Sequence, residues 1–329
     1  MGVLDNIYGS VIRIRNKLYD NGTFKSIRVT PKVISVGNIS VGGSGKTPLI
    51  ISLAKLLTDE GLNVGIIGHG YKRVSRGYVS TKDYNLSHDS LGDEAMLIFK
   101  KTGADCFVDD KKWKAALKAE SGENQYDVLL LDDGFQHRKL ERDCDIVILD
   151  NTTLQNPFLL PKGRLREPLE SLKRADIIIK RGVIALEDSV QDFIGDAKVF
   201  DAEYKTKSPL FLDDWFGGNS DDKTTNKNII AFSALANNTS FHKSLKSLGF
   251  NIIRTLEYKD HHSFIVTDYS AAIALLEKTD ANYIAVTEKD AIKMDEAPEA
   301  FKVKCIVFPL EVTFRENQSF LEAVLNFVR

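Results

Sequence analysis

The chain alternates between short apolar runs and longer segments whose apolar residues recur every three or four positions. A β-branched run at Val33–Val36 leads into the glycine-rich stretch ISVGGSGKTPL (residues 39–49). LIISLAKLLTDEG then carries a helical period and stops at Gly61, a residue suited to a helix cap. NVGIIGHGY (63–71) reads as the next strand, so the order is strand, glycine loop, helix, strand. DEAMLIFKKTG and KKWKAALKAE predict helices, and ADCFVDD, YDVLLLDD, DIVILD (145–150) and ADIIIKR (175–181) predict strands. Such alternation predicts an α/β fold, a mostly parallel sheet with helices on both faces.

Between residues 182 and 227 the pattern weakens, and FGGNSDDKTTNKN (216–228) is polar and turn-rich, as an exposed loop would be. Alternation resumes with NIIAFSA, NTSFHKSLKSLGF, NIIRTLEY, TDYSAAIALLEKTD and NYIAVTEKD, and QSFLEAVLNFVR closes the chain as an amphipathic helix. The expected organisation is an N-terminal helix (1–30), a nucleotide-binding core (31–200), a hinge or loop region (201–227) and a smaller α/β domain (228–329). The C-terminal helix is expected to return toward the core.

With 329 residues, 43% hydrophobic and 27% charged, the composition is that of a soluble globular protein of one large or two medium domains. A net charge of −2 gives no reason to expect nucleic acid as a partner. Cys106, Cys144 and Cys305 lie far apart with no CxxC spacing, which disfavours a disulfide framework or zinc site and points to a reducing compartment. No segment reaches the roughly 18 uninterrupted apolar residues of a membrane span, and charges interrupt the N-terminal apolar runs, unlike a signal peptide. Yet Leu4, Ile7, Tyr8, Val11, Ile14 and Leu18 recur at helical spacing, with Arg13, Arg15 and Lys17 among them and Lys25, Arg28 and Lys32 following. Two placements fit such a helix. It can lie in a membrane interface, held by apolar burial and anionic headgroups, or pack on its own domain.

The glycine stretch matches the phosphate-loop pattern of Gly, four residues, Gly-Lys-Thr, except at its first position, which is Ser40. Val41, Gly42, Gly43, Ser44, Gly45, Lys46 and Thr47 complete it. In such a loop successive backbone N–H groups surround phosphate oxygens at the start of the following helix. The glycines of closest approach are all present, and a serine at the first position is tolerable if its dihedrals are ordinary. Lys46 would reach the β- and γ-phosphates, and the Thr47 hydroxyl would bind Mg²⁺. A nucleotide loop of this class also wants an acidic residue at the end of a neighbouring buried strand. Asp132 and Asp133 supply two, although a strand-ending aspartate can equally cap a turn.

Three further clusters are ambiguous by themselves. GDEA (92–95) puts Asp93 and Glu94 at a predicted helix start, where capping and dipole compensation suffice as explanations. DHHSF (260–264) could bind metal, as the DHH of one class of metal phosphoesterases does, or be a surface histidine pair. TEKD (287–290) is faintly similar to the guanine-reading NKxD pattern, but its aspartate follows the lysine directly.

Together these pieces resemble the tetraacyldisaccharide 4′-kinase family, the lipid A kinases of Gram-negative envelopes. The resemblance runs through VGNISVGGSGKTP (36–48), GYKR (70–73), GDEA, DDGFQHRKLERD (132–143), LLPKGRLREP (159–168), RAD (174–176), DHHSF and TEKDAIK (287–293), in that order. It implies a P-loop kinase of two hinged α/β domains that uses ATP and Mg²⁺. The γ-phosphoryl group would move to the 4′-hydroxyl of an acylated glucosamine disaccharide 1-phosphate, giving a lipid IVA type of product. Asp93 would be the catalytic base, paired with His261 of the second domain, with His262 the less favoured member. Residues 40–47 would bind ATP, and Thr47, Asp132, Asp133 and Glu167 would place Mg²⁺. The basic N-terminal helix would then sit peripherally on the cytoplasmic face of the inner membrane, while oligomeric state stays open.

Two departures stand out: Gly68-His69 precedes Gly70-Tyr71 where many members have Ser-Arg, and SALANN (233–238) replaces the usual Gly-Ile-Ala-x-Pro turn. If the missing arginine contacts phosphate, His69 is a weaker, pH-dependent substitute. Arg73, Lys162, Arg164 and Arg166 fit either a grip on the substrate 1-phosphate or a solvated surface. Two rival functions share the loop. A GTPase-like switch wants the guanine-reading spacing that the chain lacks, and an ATP-dependent ligase on a small soluble acid gives the basic N-terminal helix no role.

Overall fold

The computed structural model describes residues 3–43, 45–70, 73, 75–83, 88–182, 184, 188–218, 224 and 226–329. Ser44, Tyr71, Lys72, the side chain of Leu4, and residues 219–223 and 225 of the polar stretch lie outside the described residues. In chain order the strands are β1 (Lys32–Asn38), β2 (Val64–Gly68), β3 (Val79–Ser80), β4 (Asp105–Val108), β5 (Val128–Asp132), β6 (Cys144–Asp150), β7 (Ile177–Arg181) and β8 (Lys198–Thr206). Then come β9 (Leu210–Phe211), β10 (Asn228–Ser233), β11 (Asn251–Glu257), β12 (Tyr283–Thr287), β13 (Cys305–Phe308) and β14 (Leu310–Phe314). They form a nine-stranded sheet, β14-β8-β7-β6-β1-β5-β2-β4-β3, and a five-stranded sheet, β11-β10-β12-β13-β9.

β1 runs parallel to both β5 and β6, β2 to β4 and β5, and β7 to β6 and β8, while the two-residue edge strand β3 is antiparallel to β4. This is the mostly parallel α/β sheet that the alternation predicts. Strands buried on both faces read as continuous apolar runs, which is why VLLLD of β5 is buried at every position. Leu129 and Leu131 pack with Ala115, Ala116 and Ala119 of the helix Lys112–Glu120. The alternate residues Ile34, Ile66 and Leu130 point the other way and are equally buried. The helix Lys46–Asp59 contributes Leu49, Ile50, Leu53 and Leu57 to the core. The register sets Val36 of β1 level with Asp132 of β5. The turns after both strands therefore leave the sheet side by side at its C-terminal edge, where parallel α/β sheets place their chemistry.

Residues Met1–Tyr204 and Val312–Arg329 make one compact unit, and Lys205–Glu311 make a second. In the second, β10 is parallel to β11 and β12, and β12 to β13, over a core that includes Ile229, Ala231, Phe241, Leu245, Ala285 and Ile306. The stretch 201–227, expected as hinge or loop, contributes the end of β8, all of β9 and a short helix, Leu212–Gly217. β8 escapes a pattern reading because only Phe200 and Ala202 within it are fully buried.

The N-terminal segment is a helix, Val3–Asp20. It packs on its own unit, but largely through polar groups. Tyr8 donates from its hydroxyl to the Arg166 carbonyl at 3.0 Å, Asn16 Nδ2 donates to Glu167 Oε2 at 2.7 Å, and Arg15 bonds the Gln136 carbonyl. Arg138 Nη1 returns a bond to the Asn16 carbonyl at 2.9 Å. Meanwhile Ile7, Val11 and Ile14 are 56%, 57% and 60% exposed. The sheet core and this exposed stripe should respond differently to truncation. Ile34→Ala, in the centre of β1, should lower the unfolding free energy by about 2–4 kcal/mol in chemical denaturation. Ile7→Ala should stay within about 0.5 kcal/mol of the parent. Equal losses would mean that the apolar stripe is buried after all.

Candidate active site

β1 ends at Asn38, and the residues that follow pair with the segment around Leu165. Ser40 and Leu165 form an antiparallel bridge, Val41 N–H donates to the Arg164 carbonyl at 2.8 Å, and Arg166 N–H donates to the Ile39 carbonyl at 2.7 Å. The LPKGRLREP segment is thus a support for the first half of the loop. Ser40 is buried, and its φ lies outside the left-handed region. Its hydroxyl lies 2.9 Å from Thr153 Oγ1, and Thr153 bonds Asp150 Oδ1 through both hydroxyl and N–H at 2.8 Å. Because Thr153 gives its hydroxyl hydrogen to Asp150, Ser40 is the donor of the pair. Gly42 and Gly45, with φ of +117° and +86°, are where only glycine is at ease.

Lys46 opens the helix after the loop, followed by Thr47. Lys46 Nζ lies 3.3 Å from Asp133 Oδ1 and 3.4 Å from Asn38 Oδ1. Arg166 Nη1 bonds the other Asp133 oxygen at 2.7 Å, Nη2 reaches Asn38 Oδ1 at 3.2 Å, and Nε reaches the Ser40 carbonyl at 3.0 Å. Burial alone would raise the Asp133 carboxyl, but Lys46, Arg166 and Lys112 hold it well below the usual carboxylate range. Lys112, itself buried, donates from Nζ to the carbonyls of Asp132 and Asp133 at 2.7 and 2.8 Å. These bonds brace a backbone whose Asp133 has φ +49°. Asp132 behaves oppositely: burial pushes its carboxyl up, and the Glu94 carboxylate adds to the rise. Glu94 is thus close enough to Asp132 for the two charges to act on each other. Asp93 and Glu94 occupy the first turn of the helix Asp93–Thr102, after Gly92 at φ +93°.

Each of the other expected residues has polar partners of its own. Glu167 is fully buried, with Oε2 bonded to Asn16 and to Arg174 Nη2 at 2.9 Å. Its Oε1, like Asp132 Oδ1, has no hydrogen-bond partner among the described residues. His261 belongs to the second unit, has φ +60°, and places Nε2 3.1 Å from Lys289 Nζ. His262 bonds Asp268 at 2.9 Å. Asp290 of TEKD has no exposed surface and binds Thr287, Lys293 and the Ala234 N–H. Among the described residues no three His, Cys, Asp or Glu side chains converge as a ready-made metal site.

Several residues of the cluster escaped sequence reasoning. Asn38 and Lys112 carry no motif signal of their own, although Asn38 stands inside the VGNIS stretch. Arg166 read equally well as a surface charge, and the structure places it on Asp133. Arg73 is nearly buried beside Asp110 at 3.2 Å, and Lys162 lies 4.2 Å over the Phe158 ring.

A glycine-rich loop between a central parallel strand and a helix, with lysine, arginine and paired aspartates at one sheet edge, defines a nucleotide-binding α/β protein of the phosphate-loop class. The chain belongs to the tetraacyldisaccharide-1-P 4′-kinase family, whose model matches residues 1–329. The tetraacyldisaccharide 4′-kinase of Syntrophus aciditrophicus is 33% identical, over 99% of this chain and 92% of its own length. That of Aquifex aeolicus is 34% identical, over 90% and 89%. A crystal structure of the "apo" form of LpxK from Aquifex aeolicus in complex with ATP matches with a TM-score of 0.80 and 30% identity, covering 99% of this chain and 98% of that one.

The role of Ser40 is testable by restoring the usual glycine. Ser40→Gly should cost about 1–2 kcal/mol of stability, since Thr153 loses a buried donor and the unfolded chain gains freedom. Nucleotide affinity should not improve; tighter ATP binding in the variant would show that the serine compromises the loop.

Proposed function

We propose that this protein transfers the γ-phosphoryl group of ATP to the 4′-hydroxyl of an acylated glucosamine disaccharide 1-phosphate, a lipid A precursor, giving a lipid IVA type of product. The observation that carries this reading is the family match along the whole chain, with the loop, Lys46, Asp133 and Arg166 gathered at the C-terminal edge of the sheet. Residues 40–47 bind the ATP phosphates. The donors present also suit Mg²⁺, because Asp132 Oδ1 and Glu167 Oε1 are buried oxygens without hydrogen-bond partners among the described residues. Thr47, Asp132, Asp133 and Glu167 are the proposed set. Mg²⁺ commonly takes only one or two carboxylates and completes its shell with phosphate oxygens and water, so no three-carboxylate cluster is required. When bound, the ion would offset charge on the β- and γ-phosphate oxygens.

The protein's own part is positioning and proton transfer. Lys46 brings positive charge to the β- and γ-phosphate oxygens, including the one that links the γ-phosphorus to ADP. Asp93 accepts the proton of the 4′-hydroxyl while the sugar oxygen bonds to phosphorus and the bond to the departing ADP oxygen breaks. A sugar hydroxyl is too weak an acid to lose its proton beforehand, so the base need act only as the new bond forms. His261 is a second residue on which turnover depends. The rival switch reading is disfavoured by Asp290, whose carboxylate is buried and already bound where a base-reading residue would have to be free.

The exposed stripe Ile7, Val11 and Ile14 suits a helix lying in a lipid surface, with the exposed Arg13 and Lys17 toward anionic headgroups. Among the described residues no helix is long and apolar enough to cross a membrane. A peripheral place on the cytoplasmic face of the inner membrane follows as part of the proposal.

Three measurements check this reading. With γ-labelled ATP, Mg²⁺ and the acylated disaccharide 1-phosphate in detergent micelles, the parent should label the glycolipid and Lys46→Ala should not. Labelling of a water-soluble acid instead would move the protein to the ligase class. Asp93→Ala should lose at least roughly a hundredfold in turnover with little change in ATP affinity; near-normal turnover would remove Asp93 as the base. Replacing Ile7, Val11 and Ile14 together by serine should weaken sedimentation with anionic vesicles roughly tenfold or more. Unchanged sedimentation would exclude the stripe as the lipid contact.

A further inference from the structure

Carbonyl groups of the phosphate loop are held from outside by side chains that the loop motif does not include. Arg164 Nη2 donates to the Val41 carbonyl at 2.8 Å, Arg181 Nη1 to the Gly43 carbonyl at 2.9 Å, and the Tyr204 hydroxyl to the Gly45 carbonyl at 3.1 Å. In a planar trans peptide a carbonyl and the next residue's N–H point in opposite directions. A donor that holds the Gly45 carbonyl outward therefore turns the Lys46 N–H toward the concave side of the loop. The same argument joins Arg164 to the Gly42 N–H. These inward amides are what a phosphate-binding nest consists of.

The supports of the later half come from neighbouring strands. Arg181 is the last residue of β7, and Tyr204 lies near the end of β8. The Arg181 guanidinium sits 4.7 Å over the Tyr204 ring, so each side chain limits the freedom of the other. The approach is close enough to dictate sequence: a Cβ on Gly45 would fall 2.5 Å from the Tyr204 ring, besides suffering φ of +86°. Burial pushes the Tyr204 phenol further up, so it remains a neutral donor.

We propose that Tyr204 and Arg181 are positioning residues for phosphoryl transfer, which turn the Gly45 and Gly43 carbonyls away so that the loop presents its amides to the nucleotide. The proposal rests on reading residues 40–47 as the nucleotide loop. It goes beyond that reading by assigning part of nucleotide affinity to two residues well over a hundred positions away in sequence. Both side chains bond carbonyls of the loop, so their effect should appear in ATP binding and not in recognition of the acceptor.

Tyr204→Phe removes one oxygen and keeps the ring. On the full chain, calorimetry would give the Kd for Mg·ATP, micellar kinetics would give KM for each substrate, and nucleotide-free unfolding would give the midpoint. The Kd and KM for ATP should rise roughly threefold to tenfold, with KM for the acylated disaccharide unchanged and at most a small fall in the unfolding midpoint, since the Gly45 carbonyl loses one donor. Arg181→Met should act in the same direction, and it carries the comparison alone if Tyr204→Phe does not fold. Unaltered ATP affinity in a folded variant overturns the proposal, as does a lowered midpoint with no change in ATP binding. Parent protein that binds ATP beside a Lys46→Ala variant that does not would establish the loop independently. If the parent itself fails to bind ATP, the nucleotide-loop reading falls and this proposal falls with it.

Discussion

One carboxylate shared by two cations organises the site. Asp133 directs one oxygen to Lys46 and the other to Arg166, and each of the three belongs to a different segment. Asp133 follows β5, Lys46 opens the helix after the loop, and Arg166 lies on the segment paired with the loop's first residues. Burial works against the charge, yet the neighbouring cations outweigh it. Such a set resists piecemeal change, because removing either cation leaves a half-buried carboxylate with one partner fewer. Arg166 could not be a lysine here. Its planar fork satisfies Asp133, Asn38 and the Ser40 carbonyl at once, which a single ammonium on a flexible stem does poorly.

The same segments carry the N-terminal helix. Tyr8 bonds the Arg166 carbonyl, Asn16 bonds Glu167, and Arg15 and Arg138 exchange bonds with the backbone on either side. A soluble helix would be expected to turn its apolar stripe inward. This one instead turns part of its polar side inward, onto residues adjoining the site, and leaves Ile7, Val11 and Ile14 in solvent. Its attachment and its exposed surface are thus separate features on opposite sides of one helix. The buried pair of Glu167 and Arg174 beneath it, with the Arg174 guanidinium 4.4 Å over the Phe135 ring, makes the attachment specific in position.

Much of the fold was legible because parallel strands covered on both faces announce themselves as apolar runs. β1, β5, β6 and β7 could be placed from composition alone. β8 could not, since its alternate residues are only half-buried, and neither could the two-residue strands β3 and β9. In the site, the loop and the paired aspartates were legible because their chemistry demands fixed residue types at fixed spacing. Lys112 was not: it supports the site by bonding two carbonyls, and a carbonyl has no residue identity for a pattern to record. Arg181 and Tyr204 escaped for the same reason, as both act on backbone oxygens far away in sequence.

Ser40 shows how a mismatch to a pattern should be weighed. A glycine is required where φ is positive or where a neighbour leaves no room for a Cβ. Gly42 and Gly45 both meet the backbone condition, and a Cβ on Gly45 would in addition fall 2.5 Å from the Tyr204 ring. Residue 40 does not meet the backbone condition, so the usual glycine there is dispensable and a hydroxyl can be put to use. The loop therefore depends less on its own composition than on what surrounds it. Its early half is fixed by residues 164–166 and its later half by the ends of β7 and β8. Tyr204 is also the last residue of the first unit before the chain enters the second at Lys205. The end of β8 is thus tied by a hydrogen bond to the Gly45 carbonyl, and through that peptide to the amide of Lys46.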